Sequence, residues 1–78
     1  MNISELKSYA SLGVKMTFEA VHIDGAWVLD VSMTKDKVLQ TERLNVARGG
    51  AKTYINLDSL VTDIRQLKPK NCTFAVSF

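Results

Sequence analysis

Apolar and polar residues alternate on both sides of an Asp24-Gly25 dipeptide, and this is the clearest pattern in the chain. Asp-Gly favours the type I′ turn of a two-residue hairpin, because both central residues take a positive φ. With Ile23 paired to Ala26, one face of the hairpin is almost wholly apolar. Its pairs are His22 with Trp27, Ala20 with Leu29, Phe18 with Val31, and Met16 with Met33. We therefore predict an antiparallel hairpin with one buried face.

A third strand is predicted from about Val38 to Ala47, after a turn around residues 34–37. The alternation of apolar and polar residues in this strand leaves two alternatives for the residues that face the core. One set is Leu39, Thr41 and Arg43, and the other is Val38, Gln40, Glu42, Leu44 and Val46. Neither set is cleanly apolar, which favours an edge strand or a bulge. Gly49-Gly50 then ends the strand, and residues 52–55 are predicted to return to the sheet as a short extended piece.

Apolar residues at helical spacing occur in two segments. A short helix is predicted within residues 1–13, with Ser4 as its N-cap and Gly13 as a left-handed terminator. An amphipathic helix is predicted after Asn56, a good N-cap, and it ends before Pro69 because residues preceding proline avoid helical angles. Its apolar stripe is Leu57, Leu60, Val61, Ile64 and Leu67.

A last alternating segment predicts a further strand. Its apolar positions are Cys72, Phe74, Val76 and Phe78, and the residues between them are Thr73, Ala75 and Ser77. Cys72 points with the apolar side, so we expect a buried small hydrophobic residue rather than a reactive thiol.

These elements predict a single α+β domain over residues 1–78, because a chain of 78 residues supplies one small core. The mostly antiparallel sheet comprises the hairpin, the irregular third strand and the last strand. One amphipathic helix covers it, and a short helix precedes it. Since no apolar run is long enough for a membrane span and no signal-peptide pattern is present, we expect a cytoplasmic protein that does not bind membranes. A single cysteine suits a reducing compartment.

Positive charge is concentrated in residues 35–52, which hold five basic and two acidic residues in a chain of net charge +2. The candidate nucleic-acid-binding residues are Lys35, Lys37, Arg43, Arg48, Gly49, Gly50 and Lys52. Lysine and arginine neutralise DNA phosphates, and such contacts carry little sequence information. Alternatively, the same cluster is a solvated loop whose basic residues keep a strand edge from pairing.

Residues that carry catalysis or bind metals are sparse. His22 is the only histidine and Cys72 the only cysteine, so no converging set of metal ligands is predicted. We expect His22 to pack beside Trp27. Glu19 faces Asp30 across the hairpin, and we expect a surface pair neutralised by a neighbouring basic residue. The sequence therefore predicts no catalytic residue, no metal and no cofactor, and we expect a protein that is not an enzyme.

The segment from Arg48 to Asp58 reads RGGAKTYINLD, with Arg-Gly, a basic residue, an aromatic residue and Leu-Asp at the start of a helix. It resembles short RepB-like replication proteins of plasmids and integrated conjugative elements. The motif DGAW at residues 24–27 and the strand from Thr73 to Phe78 match the general layout of that family, so the resemblance covers about residues 16–78. It implies an accessory role near plasmid DNA and transfers no catalytic residue.

Two functions from different classes follow. The first is a small non-enzymatic accessory protein of a mobile element that contacts DNA phosphates through the basic strand and loop. The second is a protein-interaction module or homodimer that acts by sheet-edge pairing, without nucleic acid, and whose partner is a second copy or another protein of the mobile element. A double-stranded-RNA-binding domain also runs helix, three strands, helix. It ranks lower, because its second helix begins with a basic cluster, whereas this chain has residues Asn56 to Ser59 there.

Overall fold

Four strands and two helices make up the structure, a computed structural model that describes residues 1–78. In chain order they are α1 (Ile3–Ser11), β1 (Met16–Ile23), β2 (Ala26–Lys35), β3 (Val38–Arg43), α2 (Leu57–Gln66) and β4 (Cys72–Ser77). The strands form one sheet in the order β3-β2-β1-β4, antiparallel except for the β1–β4 pair. The predicted α+β class and mostly antiparallel sheet are confirmed. Neither helix has the length and hydrophobicity that a membrane crossing requires.

The β1–β2 hairpin has the predicted register. Ile23 pairs with Ala26, and every predicted pair beyond them is present. Both turn residues are left-handed, with φ of 51° at Asp24 and 79° at Gly25, as a type I′ turn requires. Phe18, on the face predicted to be apolar, is fully buried.

Both helices pack on the same face of the sheet, which we call the helix side; the opposite face is the open face. Thirteen buried residues form one core. They are Leu6, Ala10, Met16, Phe18, Ala20, Trp27, Leu29, Val31, Met33, Leu44, Tyr54, Leu60 and Ile64. Because four of them come from β2, the core is centred on this strand.

α1 begins at Ile3, so the prediction of Ser4 as its N-cap is wrong. The N-cap is Asn2, whose side chain accepts a hydrogen bond from the backbone N–H of Glu5 at 2.9 Å. The Glu5 carboxylate in turn accepts one from the backbone N–H of Asn2 at 3.3 Å. This capping box satisfies two amides that the helix leaves without partners. Gly13 has the predicted left-handed conformation after the helix, with φ of 75°.

α2 begins after Asn56, as predicted. The side-chain oxygen of Asn56 accepts hydrogen bonds from the backbone N–H and the hydroxyl of Ser59, each at 2.9 Å. Leu60 and Ile64 of the predicted stripe are buried in the core. The helix ends before Lys68, whose φ of 49° is left-handed and incompatible with a continued helix.

β3 is an edge strand, and it ends at Arg43 rather than at Ala47. The chain turns inward at Leu44, whose backbone N–H donates to the carbonyl of Leu29 at 2.8 Å and whose side chain is fully buried. Of the two alternatives for this strand, the second is on the helix side, with Val38, Gln40 and Glu42 in the strand and Leu44 just after it; its fifth member, Val46, lies beyond the strand and is exposed. The strand is therefore anchored by one large apolar residue just beyond its end.

Residues 44–54 fold back along the first residues of β2. The Val46 N–H donates to the carbonyl of Gly50 at 2.7 Å, and the Gly49 N–H donates to the carbonyl of Val46 at 3.0 Å, which closes a tight turn. Trp27 and Tyr54 then exchange two backbone hydrogen bonds of 2.8 Å. The predicted return of the chain to the sheet is thus confirmed at Tyr54.

β4 is the other edge strand and pairs only with β1. Cys72, Phe74 and Val76 share the helix side with the buried residues of β1, yet all three are exposed. Phe74 and Val76 remain 40% and 39% exposed. Cys72 is exposed as well, so the prediction that it is buried is wrong. The core draws on β1, β2 and both helices but on no residue of β4, so β4 lies at its margin.

Candidate functional site

The five cations predicted to contact DNA do not lie on one face of the molecule. Lys35 is on the helix side at the end of β2, where its Nζ lies 3.4 Å from the Glu42 carboxylate and 4.9 Å from the centre of the Tyr9 ring. Tyr9, and to a smaller extent Glu42, raise the pKa of Lys35 above its ordinary value. Lys35 therefore links β2 to β3 and α1.

Arg43 lies on the open face, opposite to Lys35. Its Nε and Nη2 donate to the two carboxylate oxygens of Asp30 at 2.9 and 3.2 Å, which makes a bidentate ion pair across β2 and β3. Asp30 raises the pKa of Arg43 for this reason. The expected neutralisation of the facing Glu19–Asp30 pair is confirmed for Asp30, whereas Glu19 accepts a hydrogen bond from the Ser77 hydroxyl.

Lys52 belongs to a three-residue cluster with Tyr54 and Asp63. Its Nζ lies 3.7 Å from the Asp63 carboxylate and 5.5 Å from the centre of the Tyr54 ring. The Tyr54 hydroxyl donates to the same carboxylate oxygen at 2.7 Å. Burial, and then this bond, raise the pKa of Tyr54 well above its ordinary value. Three of the five cations are thus engaged by carboxylates within the protein.

Lys37 and Arg48 are exposed and form no ion pair. Lys37 occupies the β2–β3 turn, and Arg48 lies in the turn that contains Gly49 and Gly50. The structure brings Arg48, Gly49, Gly50 and Lys52 together in one loop. The segment that follows this loop is hydrogen-bonded to Trp27, near the start of β2. Lys35 and Lys37 lie at the opposite end of β2. The seven predicted residues therefore form no single strip.

The outer edge of β4, hereafter the β4 edge, is a surface of a different kind. No strand lies beside it, and residues 72–77 carry no charge. Phe74, Val76 and Phe78 expose apolar surface on its helix side. Free backbone groups beside exposed apolar side chains are what an added strand binds. The alternation of these residues is readable in the sequence, but nothing in it shows that they stay exposed.

An aromatic cluster continues this surface at the end of the sheet where β1 turns into β2. The rings of His22 and Phe78 lie 4.8 and 5.6 Å from the ring of Trp27. Trp27 is buried, whereas His22 and Phe78 are exposed. The predicted packing of His22 against Trp27 is present, and it lies at the surface.

The β3 edge, in contrast, is protected against pairing. Glu42 and Arg43 place charges on this strand and hold them in ion pairs. Beyond Arg43, the first residues of the chain lie alongside Asn45, whose backbone N–H donates to the carbonyl of Met1 at 2.7 Å. Charged residues and covering segments are the means by which proteins keep edges from pairing. Both edge strands lack a neighbouring strand, and β4 is the one that carries no charged residue.

A cavity of about 220 Å³ lies at the N-terminal end of α1. Its lining residues are Asn2, Ile3, Ser4, Asn45, Val46, Ala47 and Lys52. Lys52 is the only charged side chain among them. No group of three or more histidine, cysteine, aspartate or glutamate residues is placed to hold a metal ion.

No family model matches the chain, and neither a curated protein nor a solved structure matches it. The resemblance to RepB-like replication proteins, carried by residues 24–27 and 48–58, stays a prediction. Two features of this chain remain as candidate binding sites: the β4 edge and the dispersed basic residues.

Proposed function

We propose that the protein is a small non-enzymatic interaction module that binds an extended segment of a partner chain along the β4 edge. In such strand addition, the segment hydrogen-bonds to the free backbone groups of an edge strand and places alternate side chains on each face. One observation carries the proposal. β4 is an uncharged edge strand whose helix-side residues Phe74 and Val76 stay 40% and 39% exposed.

The exposed side chains supply affinity beyond the backbone hydrogen bonds. Burial of apolar surface contributes roughly 25 cal/mol per Å². A partner side chain laid over Phe74 or Val76 therefore stabilises the complex, and Phe78 extends the same apolar strip towards Trp27. The small residues Thr73, Ala75 and Ser77 occupy the open face of β4 and leave room for the side chains of an added strand.

We place this role in the cytoplasm. Cys72 is exposed and is the only cysteine of the chain. It lies on the proposed binding edge, where a reducing compartment keeps it from forming disulfides between molecules.

A second candidate is contact with DNA phosphates in an accessory protein of a mobile element, the role that the RepB-like resemblance implies. Lys37 and Arg48 favour it, because both are exposed and neither forms an ion pair. Lys35, Arg43 and Lys52 favour it less, since a phosphate would have to compete with the carboxylate partner of each. We rank edge pairing first for this reason.

Amide hydrogen exchange in the presence of a synthetic peptide tests the proposed function. The probe is a short peptide of alternating threonine and valine, with a lysine at each end for solubility. In protein diluted enough to be monomeric, we expect the peptide to slow exchange at β4 amides and to leave β3 amides unchanged. Phe74→Lys should abolish this protection, because a charge on an edge strand opposes pairing. Leu39→Lys, the same change at an exposed leucine of β3, is the control and should keep it. β4 amides that exchange rapidly both with and without millimolar peptide would refute the proposal.

A further inference from the structure

We infer that the segment bound at the β4 edge is β4 of a second copy of this chain, and that the two strands run antiparallel about a two-fold axis at Phe74. This inference rests on the proposed function, since it names the partner of the same edge. The product is one continuous sheet formed by two copies, with all helices on one side.

Charge is distributed unevenly along the β1–β4 side of the molecule. Lys15, Lys68 and Lys70 lie at the end where β1 and β4 begin. Asp24 lies at the other end, in the turn that follows β1. All four side chains are exposed, and none of them forms an ion pair within the chain. This side therefore has a basic end and an acidic end that are both free for a partner.

The charges select the antiparallel arrangement. In an antiparallel pair, the basic end of each copy lies against the acidic end of the other. In a parallel pair, the lysines of the two copies would meet one another, and Asp24 would meet its own counterpart. Opposite charges favour the first arrangement and like charges oppose the second. Because of the two-fold symmetry, each favourable contact occurs twice.

Symmetry and the faces of the sheet restrict the register. In an antiparallel edge pair, the helix side of one copy continues into the helix side of the other, and opposite residues share a face. With Phe74 on the axis, each Phe74 faces its own counterpart, and Cys72 faces the partner's Val76. This register places the two Phe74 rings together as a cross-strand aromatic pair, a contact that stabilises sheets. No charged residue of β4 is buried by it, since β4 has none.

The same register brings the free charges together. Cys72, the first residue of β4, faces the partner's Val76, and Lys70 lies two residues before Cys72. The partner's Asp24 lies in the turn directly after its β1, at the end of the partner that Lys70 adjoins. The flexible side chain of Lys70 therefore extends towards the end of the partner that holds Asp24.

Sedimentation of the full chain over a range of concentrations tests the identity of the partner. We expect a reversible dimer that Phe74→Lys converts to a monomer. Asp24→Asn and Lys70→Gln should each raise the dimer dissociation constant by roughly fivefold, as expected for loss of two exposed ion pairs. Asp36→Asn is the matched control, because Asp36 has the same φ of 51° in the other two-residue turn and lies away from β4. High salt should reduce the effect of both test variants.

Disulfide cross-linking tests the direction and register. In a chain carrying Cys72→Ala and Phe74→Cys, the two cysteines face each other across the axis and should form a disulfide rapidly, since facing residues of antiparallel strands are within disulfide distance. The native Cys72 faces Val76 instead and should cross-link slowly. Rapid cross-linking through Cys72, without cross-linking at position 74, would refute this register.

The two proposals fail separately. A chain that stays monomeric at millimolar concentration refutes the inference of a second copy. If the threonine–valine peptide still protects β4 in that chain, the edge binds a different partner and the proposed function stands. If neither the peptide nor a second copy protects β4, both proposals fall.

Discussion

The hydroxyl of Tyr54 donates a hydrogen bond of 2.7 Å to the carboxylate of Asp63, and this bond fastens the loop after Gly50 to α2. The backbone of Tyr54 is at the same time paired with Trp27 of β2. Loop, helix and hairpin therefore meet at one buried tyrosine. The segment after Gly50 is thus held against the core, whereas Arg48 before it stays exposed.

Removal of this hydroxyl should destabilise the fold. We expect Tyr54→Phe to lower the free energy of unfolding by about 1–2 kcal/mol, because the hydrogen bond that is lost is one to a charged group, the Asp63 carboxylate. Asp63→Asn, which keeps an oxygen acceptor, should cost less. Urea unfolding of the variants measures both, and an unchanged midpoint for Tyr54→Phe would show that the bond does not stabilise the fold.

The same residue makes stability depend on alkaline pH. Burial raises the pKa of Tyr54 in the folded chain, whereas tyrosine in the unfolded chain has a pKa near 10. Above about pH 10 the unfolded chain therefore releases a proton that the folded chain keeps. This contribution to stability is fully present below that pH and falls as the pH rises beyond it. Ultraviolet titration should show Tyr54 ionising only as the chain unfolds, and Tyr54→Phe should flatten the alkaline loss of stability.

The two adjacent glycines should respond differently to alanine. Gly49 has a φ of 99°, a conformation that side chains disfavour, whereas Gly50 has no such φ, and an added Cβ meets no atom within 4 Å at either site. Gly49→Ala should lower the free energy of unfolding by about 1–2 kcal/mol. Gly50→Ala should leave it unchanged or raise it by about 0.4–1 kcal/mol. Thermal unfolding compares the two, and equal losses would contradict this backbone argument.

A glycine in the β2–β3 turn should stabilise the fold. Asp36 and Lys37 have φ of 51° and 65°, as in a type I′ turn, whose second position favours glycine. Lys37→Gly should therefore raise the free energy of unfolding by about 0.5–1 kcal/mol. Lys37→Ala removes the same charge but keeps a Cβ, so it should give no gain. If both variants are equally stabilised, charge rather than backbone conformation is the cause.

DNA binding should be weak at physiological salt. Because Lys35, Arg43 and Lys52 are engaged by carboxylates, we expect a dissociation constant for labelled duplex no tighter than about 10⁻⁴ M, the weak limit of non-specific binding. Fluorescence anisotropy at low and physiological salt measures it. Tight binding that is lost on combining Lys37→Gln with Arg48→Gln, yet kept in Arg43→Gln, would favour the DNA candidate over edge pairing.

The first hairpin could be predicted from sequence because two independent signals agree. Asp24-Gly25 sets the turn, and hydrophobic alternation sets the faces. The second hairpin lacks a glycine and turns on Asp36 and Lys37, so the sequence shows neither its register nor the ion pair of Arg43 that depends on it. Lys35, Arg43 and Lys52 were predicted to contact DNA, but each is paired with a carboxylate that the fold brings near, and local sequence patterns do not show such pairs.

The N-cap of α1 could have been predicted from the sequence, since an asparagine followed three residues later by a glutamate is a capping-box pattern. The exposure of Cys72 and Phe74 could not have been predicted in this way. Alternation shows which residues share a face, but Phe74 and the buried Phe18 have the same pattern. Which strand the helices cover depends on packing across the whole domain. This is why the edge that we propose for binding emerges only from the fold.

The parallel pairing of β4 with β1 also has a consequence for the order of folding. Thr17 and Thr73, 56 residues apart, share a hydroxyl hydrogen bond of 3.1 Å, whereas two-residue turns join β1 to β2 and β2 to β3. Closing so long a loop costs chain entropy that the hairpins avoid. We expect β4 to dock late in folding and to detach early in partial unfolding. A partner chain bound at the outer edge of β4 would then slow the detachment of β4, which is the first step of unfolding.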